Sequence, residues 1–408
     1  MAYLPNITAN IRSADSPSID GFARQRVSEP FTIFDSKQLH EKDTTIYWSE
    51  VLNGNATSVF QTGNAEVLMS TTTSGDYAIR QTKSRFNYQP GKSQLNFLTF
   101  LISSQTNITK RVGLFHGGTA APYNSFEGIY LENASGTVTL NIGNANGTQG
   151  SQSVSQASWN VDPFDGSGPS GYTLNWSTCN IMIIDYEWLG VGRIRIGFVI
   201  NGIPYYAHYF NNANSVTNVY CSTPNFPVRY EIRQTGAGSG SLHHICSSVQ
   251  SEGGIDPNGP IYAINSGGAV AVANGSNEPI VGYQLKSTHL DISTIVTGLS
   301  MYSADGNDDM RWYLTLNPTM SGTPTATAKS NTGIEILTNN NNTITNEGFV
   351  IAEGYLTSAN NEITDVPKTT IRVGSTIGGT RDQIWLCVED IGGSAGLNVR
   401  GSIIIQEL

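Results

Sequence analysis

The stretch Arg193-Ile-Arg-Ile-Gly-Phe-Val-Ile200, Asn201-Gly202, Ile203-Pro-Tyr-Tyr-Ala-His-Tyr-Phe210 decides the fold class. Two alternating apolar runs meet at Asn-Gly, the dipeptide that most readily supplies the two positive-φ residues of a type I′ hairpin turn. A two-residue loop fixes the register. Ile200 is therefore expected opposite Ile203, Phe198 opposite Tyr205, Ile196 opposite Ala207 and Ile194 opposite Tyr209. These residues form one apolar face, while Arg193, Arg195 and His208 fall on the other, where Tyr206 can cover the bare backbone of Gly197. The reading is an antiparallel sheet with one buried face.

Similar runs recur on both sides, each bounded by Gly, Asn or Pro. Before the hairpin they are Phe31–Phe34, Glu66–Ser70, Tyr77–Lys83, Leu95–Ile102, Gly113–Phe115, Thr137–Ile142 and Asn180–Asp185, with Val228–Arg233 after it. A weak helical pattern over Ser36–Trp48 is the one exception. The turn-rich segment Ser251–Pro260 separates a second block, with strands expected at Ile261–Ile264, Gly282–Leu290, Arg311–Leu316, Gly333–Leu337, Gly348–Leu356, Thr370–Val373, Gln383–Val388 and Leu397–Gln406. Many short strands with turn punctuation indicate sandwiches or jelly rolls. The expected division is an arm over residues 1–30, one β-sandwich over 31–252 and a second over 253–408. In the arm, Ile7, Ile11, Ile19 and Phe22 could dock on a neighbour.

Composition excludes several classes. Of 408 residues 13% are charged, about half the roughly 25% of ordinary soluble domains. The net charge is −10 with no basic run, which argues against binding to nucleic-acid phosphates. No apolar stretch approaches the ~20 residues that span a bilayer. The opening residues lack the regions of a signal peptide, so synthesis in a cytosol is expected. Cys179, Cys221, Cys246 and Cys387 have no CxxC spacing and read as reduced thiols.

Candidate chemistry is sparse. Gly392-Gly-Ser394-Ala-Gly396 has the letters of a nucleophile elbow, but no His follows it and a strand stands where a helix is needed. Asp305-Gly-Asn307-Asp-Asp309 begins like a calcium loop, yet Met310 and Leu316 occupy the positions that need Gly and Glu. His243, His244 and Cys246 cluster without a second ligand pair; in a regular strand His244 and Cys246 share a face. Asp162, Asp165, Asp185 and Glu187 could supply the carboxylate pair of a glycosidase, and Trp188, Tyr205, Tyr206 and Tyr209 could contact a glycan or a partner. The expectation is a non-enzyme without catalytic residues, cofactor or metal.

Several segments resemble a family of virion structural proteins of tailed phages and large DNA viruses. They are Arg26–Lys37, Arg85–Ser93, Gly168-Pro-Ser-Gly171, Ile184–Arg193, Ser222–Ile232 and Ser251-Glu-Gly-Gly254. The resemblance implies an all-β chain of antiparallel β-sandwich (jelly-roll or concanavalin-like) domains with an extended N-terminal arm, displayed on a virus particle. Partners would be other virion proteins and copies of the chain itself, or host-surface glycan, with no nucleic acid and no membrane insertion. Lys83, Arg85, Arg193 and Arg195 are then expected to blunt strand edges or make polar interface contacts.

Overall fold

The computed structural model describes residues 29–408 except 257, 304–308, 358–361, 365–370 and 394–395. The arm up to residue 28, the Asp305–Asp308 part of the acidic loop and Ser394 lie outside the described residues.

The chain is all-β, built as two antiparallel sandwiches. In the first, eight described strands make one sheet, in the order Ile203–Asn211, Arg193–Ile200, Asn180–Tyr186, Gln94–Leu101, Gly240–Ser251, Glu66–Thr71 and Thr57–Gln61, with Phe31–Lys37 also on Gly240–Ser251. The facing sheet runs Gln152–Ser155, Thr137–Asn144, Glu127–Ala134, Ile108–His116, Val228–Gln234, Tyr77–Thr82 and Trp48–Asn53. Strand alternation explains the core between them: Met182, Ile184 and Tyr186, then Ile194, Ile196 and Phe198, face Val112, Leu114, Leu131, Leu140 and Ile232 across the gap.

Gly240–Ser251 is central yet reads as polar. Its inward residues include Leu242, His244, Ser247 and Val249, and a bulge between His244 and Cys246 breaks the alternation. The bulge overturns the expected shared face of His244 and Cys246. His244 is fully buried, stacked on Tyr230 at 3.8 Å and against Trp48 at 4.6 Å. Cys246 pairs in register with Lys37 at the half-buried edge, and His243 bonds Glu66 at 3.0 Å. The helix expected over Ser36–Trp48 is absent. The Asp43 carboxylate accepts the amides of Thr45, Ile46 and Tyr47 at 2.9–3.1 Å, a turn that competes with helical bonding.

The second sandwich packs a five-stranded sheet (Ile261–Asn265, Leu397–Glu407, Thr294–Ser303 and Glu362–Thr364, with Val270–Val272 on Leu397–Glu407) on a six-stranded one. The latter runs Thr325–Ala328, Ile334–Thr338, Asn277–Leu285, Gln383–Asp390, Met310–Leu316, Phe349–Leu356. Asn277–Leu285 starts earlier than the expected Gly282–Leu290, because a bulge beside Pro279 admits a residue that cannot donate to a ladder. Thr294–Ser303 escapes a period-2 reading because a bulge between Val296 and Gly298 interrupts it. The expected strand Thr370–Val373 is not one from residue 371 onward. That segment crosses to the first sandwich instead.

Ser375 N donates to Lys83 O at 3.1 Å, Ile377 N to Ser49 Oγ at 3.1 Å, and Lys83 Nζ reaches Thr45 O at 2.7 Å and Asp382 Oδ1 at 3.3 Å. Lys83 is therefore buried in an internal seam and blunts no edge.

Candidate functional site

The hairpin turn is as read: Asn201 has φ 52° and Gly202 φ 80°, and Ile200–Ile203, Phe198–Tyr205 and Gly197–Tyr206 are paired. The register then slips. Ile196 faces His208 and Ile194 faces Phe210, so the expected Ile196–Ala207 and Ile194–Tyr209 pairs do not form. Ala207 is an extra residue in a bulge, and its carbonyl accepts two amides from outside the sheet, Val161 N at 3.1 Å and Asp162 N at 3.0 Å. As a result His208 packs edge-on to Phe210 at 4.5 Å toward the core, not beside Arg195. Burial pulls the His208 imidazole down to about 4, in keeping with its Nδ1 accepting the Asn160 amide at 3.2 Å.

Tyr209 moves the other way. It joins Tyr206 on the outer face, ring centroids 5.6 Å apart, in a small buried cluster with Leu95 and Ile183. On that face Arg195 lies over the Tyr206 ring at 4.7 Å and pairs with Asp185, which also accepts the Tyr206 hydroxyl at 3.0 Å. Arg195 thus balances a buried carboxylate in mid-sheet, contrary to its expected edge role. The edge beyond is closed by Asn160, whose amide side chain exchanges two 2.9 Å hydrogen bonds with the Tyr209 backbone.

Where the 161–170 loop meets the hairpin tip, an open cleft of about 290 Å³ forms. Tyr205, Tyr206, Ile203, Pro204, Pro169 and Ser170 line it together with Asp162. Tyr172 braces Tyr205 edge-on at 5.5 Å. Asp162 shapes the loop: one oxygen accepts Phe164 N and the other Ser170 N, each at 2.8 Å.

Of the four expected contact residues, Tyr205 and Tyr206 meet at the cleft and Tyr209 is buried behind it. Trp188 stands apart, donating to Cys221 O at 3.3 Å and packing against the core. The carboxylates weighed for glycoside chemistry are likewise dispersed in purpose. Asp162 holds a loop and Asp185 an arginine; Asp165 accepts Ser167 N and Oγ, bonds that lower its pKa. Glu187 accepts Arg193 N at 3.0 Å. Among the described residues no group of three His, Cys, Asp or Glu is placed to hold a metal ion. Pro169 and Ser170 were not anticipated as site residues. The turn-rich run Gly168-Pro-Ser-Gly171 was their signal.

No family model matches the chain, and no curated protein matches it, so neither supports the virion family. The sheet order by itself defines the class as an antiparallel β-sandwich protein. The chain is similar to a Bacillus licheniformis β-glucanase (9% identity, TM-score 0.35), covering 55% of this chain and 98% of that one. It is also similar to the carbohydrate recognition domain of Emp47p (11%, TM-score 0.34), covering 57% and 100%, and to lectin UEA-II complexed with galactose (7%, TM-score 0.34), covering 55% and 100%. Scores this low carry nothing about ligand or activity.

Proposed function

We propose that the chain is a carbohydrate-binding protein whose contact surface is the cleft beside the Asn201-Gly202 turn. The observation that carries this reading is the lining itself. Ring, proline and isoleucine faces from Tyr205, Pro169, Pro204 and Ile203 converge with Ser170 in one open groove, with the buried Tyr206 beneath them. Apolar faces of that kind pack on the C–H faces of a sugar ring, and a few polar groups fix its orientation. Ile203 is 52% exposed at the rim, so it is available to a ligand without disturbing the core.

The test is a glycan array followed by titration of the best oligosaccharide. Tyr205→Ala and Ile203→Asn are expected to weaken binding at least tenfold with the fold intact by circular dichroism. Saturable binding unchanged in both folded variants, or no saturable binding by the native chain, overturns the reading.

Display on a virus particle belongs to the same proposal and rests on the resemblance of segments such as Arg26–Lys37 and Arg85–Ser93. Labelled protein offered to host cells and to particles stripped of it separates the two roles. Sugar-competed attachment to cells supports recognition, and binding to particles alone supports an assembly role.

A further inference from the structure

A second cavity, of about 150 Å³, opens where the 371–382 segment of the second sandwich meets the first. Its walls include Phe34, Tyr47 and Phe86, with Thr32, Ser84 and Arg372. Phe34 and Phe86 are stacked at 4.9 Å, which fixes both rings at the cavity. Arg372 is placed by both domains. Its carbonyl accepts Ser84 Oγ at 3.1 Å, and its Nη1 donates to Asn87 Oδ1 at 3.0 Å and Ser293 Oγ at 2.6 Å.

All of these partners are neutral. Among the described residues no carboxylate pairs with this guanidinium, and its Nε and Nη2 have no acceptor. Burial pulls its pKa down to about 10. Among the described residues Asp35 is the one acid in the cavity wall, and it pairs with Lys37 at 2.7 Å on the exposed side of the strand. With Nη1 committed to Asn87 and Ser293, the edge left over is the Nε–Nη2 side. That edge presents two parallel N–H groups at the spacing of a carboxylate's oxygens. Arg372 is half-buried, its Nη1 is held by neutral partners, and the fork left over is the geometry that a carboxylate accepts from side-on.

We propose that this cavity is a binding site for a small oxyanion carried on a flat apolar body, an aryl carboxylate. The carboxylate sits side-on to the Nε–Nη2 edge of Arg372, and its ring lies against Phe34 and Phe86. The site is separate from the hairpin cleft and does not depend on the glycan reading.

Titration of the full chain with benzoate at low salt tests it, with benzamide as the uncharged isostere. One saturable site for benzoate is expected, with benzamide at least tenfold weaker, about 1.4 kcal/mol. Arg372→Gln is expected to remove benzoate binding. Arg372→Lys retains the charge but not the fork and is expected to bind at least tenfold more weakly. Tyr205→Ala is expected to leave benzoate binding unchanged. Equal binding of benzoate and benzamide, unchanged affinity in either folded Arg372 variant, or no saturation by the native chain overturns the assignment. Inorganic phosphate binding as tightly as benzoate would overturn the role given to the aromatic wall.

Discussion

Glu231→Gln is expected to destabilise the first sandwich by about 3–5 kcal/mol, the cost of leaving buried arginines without their counter-charge. Glu231 and Arg229 are both fully buried on one strand. One Glu231 oxygen accepts Arg111 Nη1 at 2.7 Å and Arg233 Nε, and the other accepts Arg229 Nε at 3.0 Å and Nη2. Each guanidinium also lies over a ring: Arg111 on Phe126 at 4.5 Å, Arg229 on Phe115 at 5.3 Å, Arg233 on Tyr77 at 4.8 Å. Glutamine preserves the volume and removes the charge, so the three cations lose their common anion while Arg111 keeps only Glu132 at 2.6 Å.

Acid titration gives an independent view. Burial acts to raise the Glu231 pKa, but the Arg229, Arg111 and Arg233 charges outweigh it and hold the carboxyl at about 2, below its ordinary 4.5. A carboxyl with a depressed folded pKa contributes stability that is complete above 4.5 and is lost as pH falls toward 2. Urea unfolding followed by tryptophan fluorescence should show a lower midpoint for the variant at pH 7 and a flatter decline on acidification. A variant with the native midpoint at neutral pH would refute the argument.

Gly374→Val is expected to unlatch the two sandwiches. A Cβ at position 374 would sit 2.3 Å from Lys83 O and 2.4 Å from Lys83 C, and these are backbone atoms that cannot swing aside. The same stretch carries Ser375 N to Lys83 O, and Gly374 O accepts Asp382 N at 2.9 Å. Displacing it separates Lys83 from Asp382, both under a tenth exposed, and withdraws Ile377, which is 2% exposed. Steric intrusion into a packed seam plus a parted, largely desolvated ion pair should cost about 3 kcal/mol of docking free energy. Calorimetry should then resolve two unfolding events, with the first sandwich melting at a lower temperature than in the native chain. A single transition at the native temperature would show that the seam contributes little.

The hairpin was legible because its turn chemistry and alternation are local. Asn201-Gly202 specifies the loop, and Phe198 and Ile200 need no distant partner to declare their face. Features that depend on remote segments were not. The extra residue at Ala207 exists to receive the Val161 and Asp162 amides, some 45 residues upstream by simple subtraction, and nothing in the strand announces it. The central strand Gly240–Ser251 hid behind histidines and serines whose burial depends on Trp48 and Tyr230. Lys83 and Asp382 meet across a separation of 299 residues. The same division holds at the cleft. Tyr205 and Tyr206 stood out as adjacent aromatics on a strand, whereas Pro169 and Ser170 join them only through the loop that Asp162 folds back. Trp188 misled because an exposed ring and a ring tied to a buried carbonyl look alike in sequence.

Ala207 is supernumerary to its own sheet. With it removed, Tyr206 and Tyr209 would still point outward and Phe210 inward, because the pairing on either side of the bulge already has regular parity. What would go is the carbonyl to which the 161–170 loop is fastened. The loop has other ties as well: Asn160 holds the Tyr209 backbone, and Phe164 is buried in the core against Phe198. Beyond those anchors only the rim of the wall, Pro169 and Ser170, can be exchanged without moving a strand out of register, and that rim is the natural place for diversification.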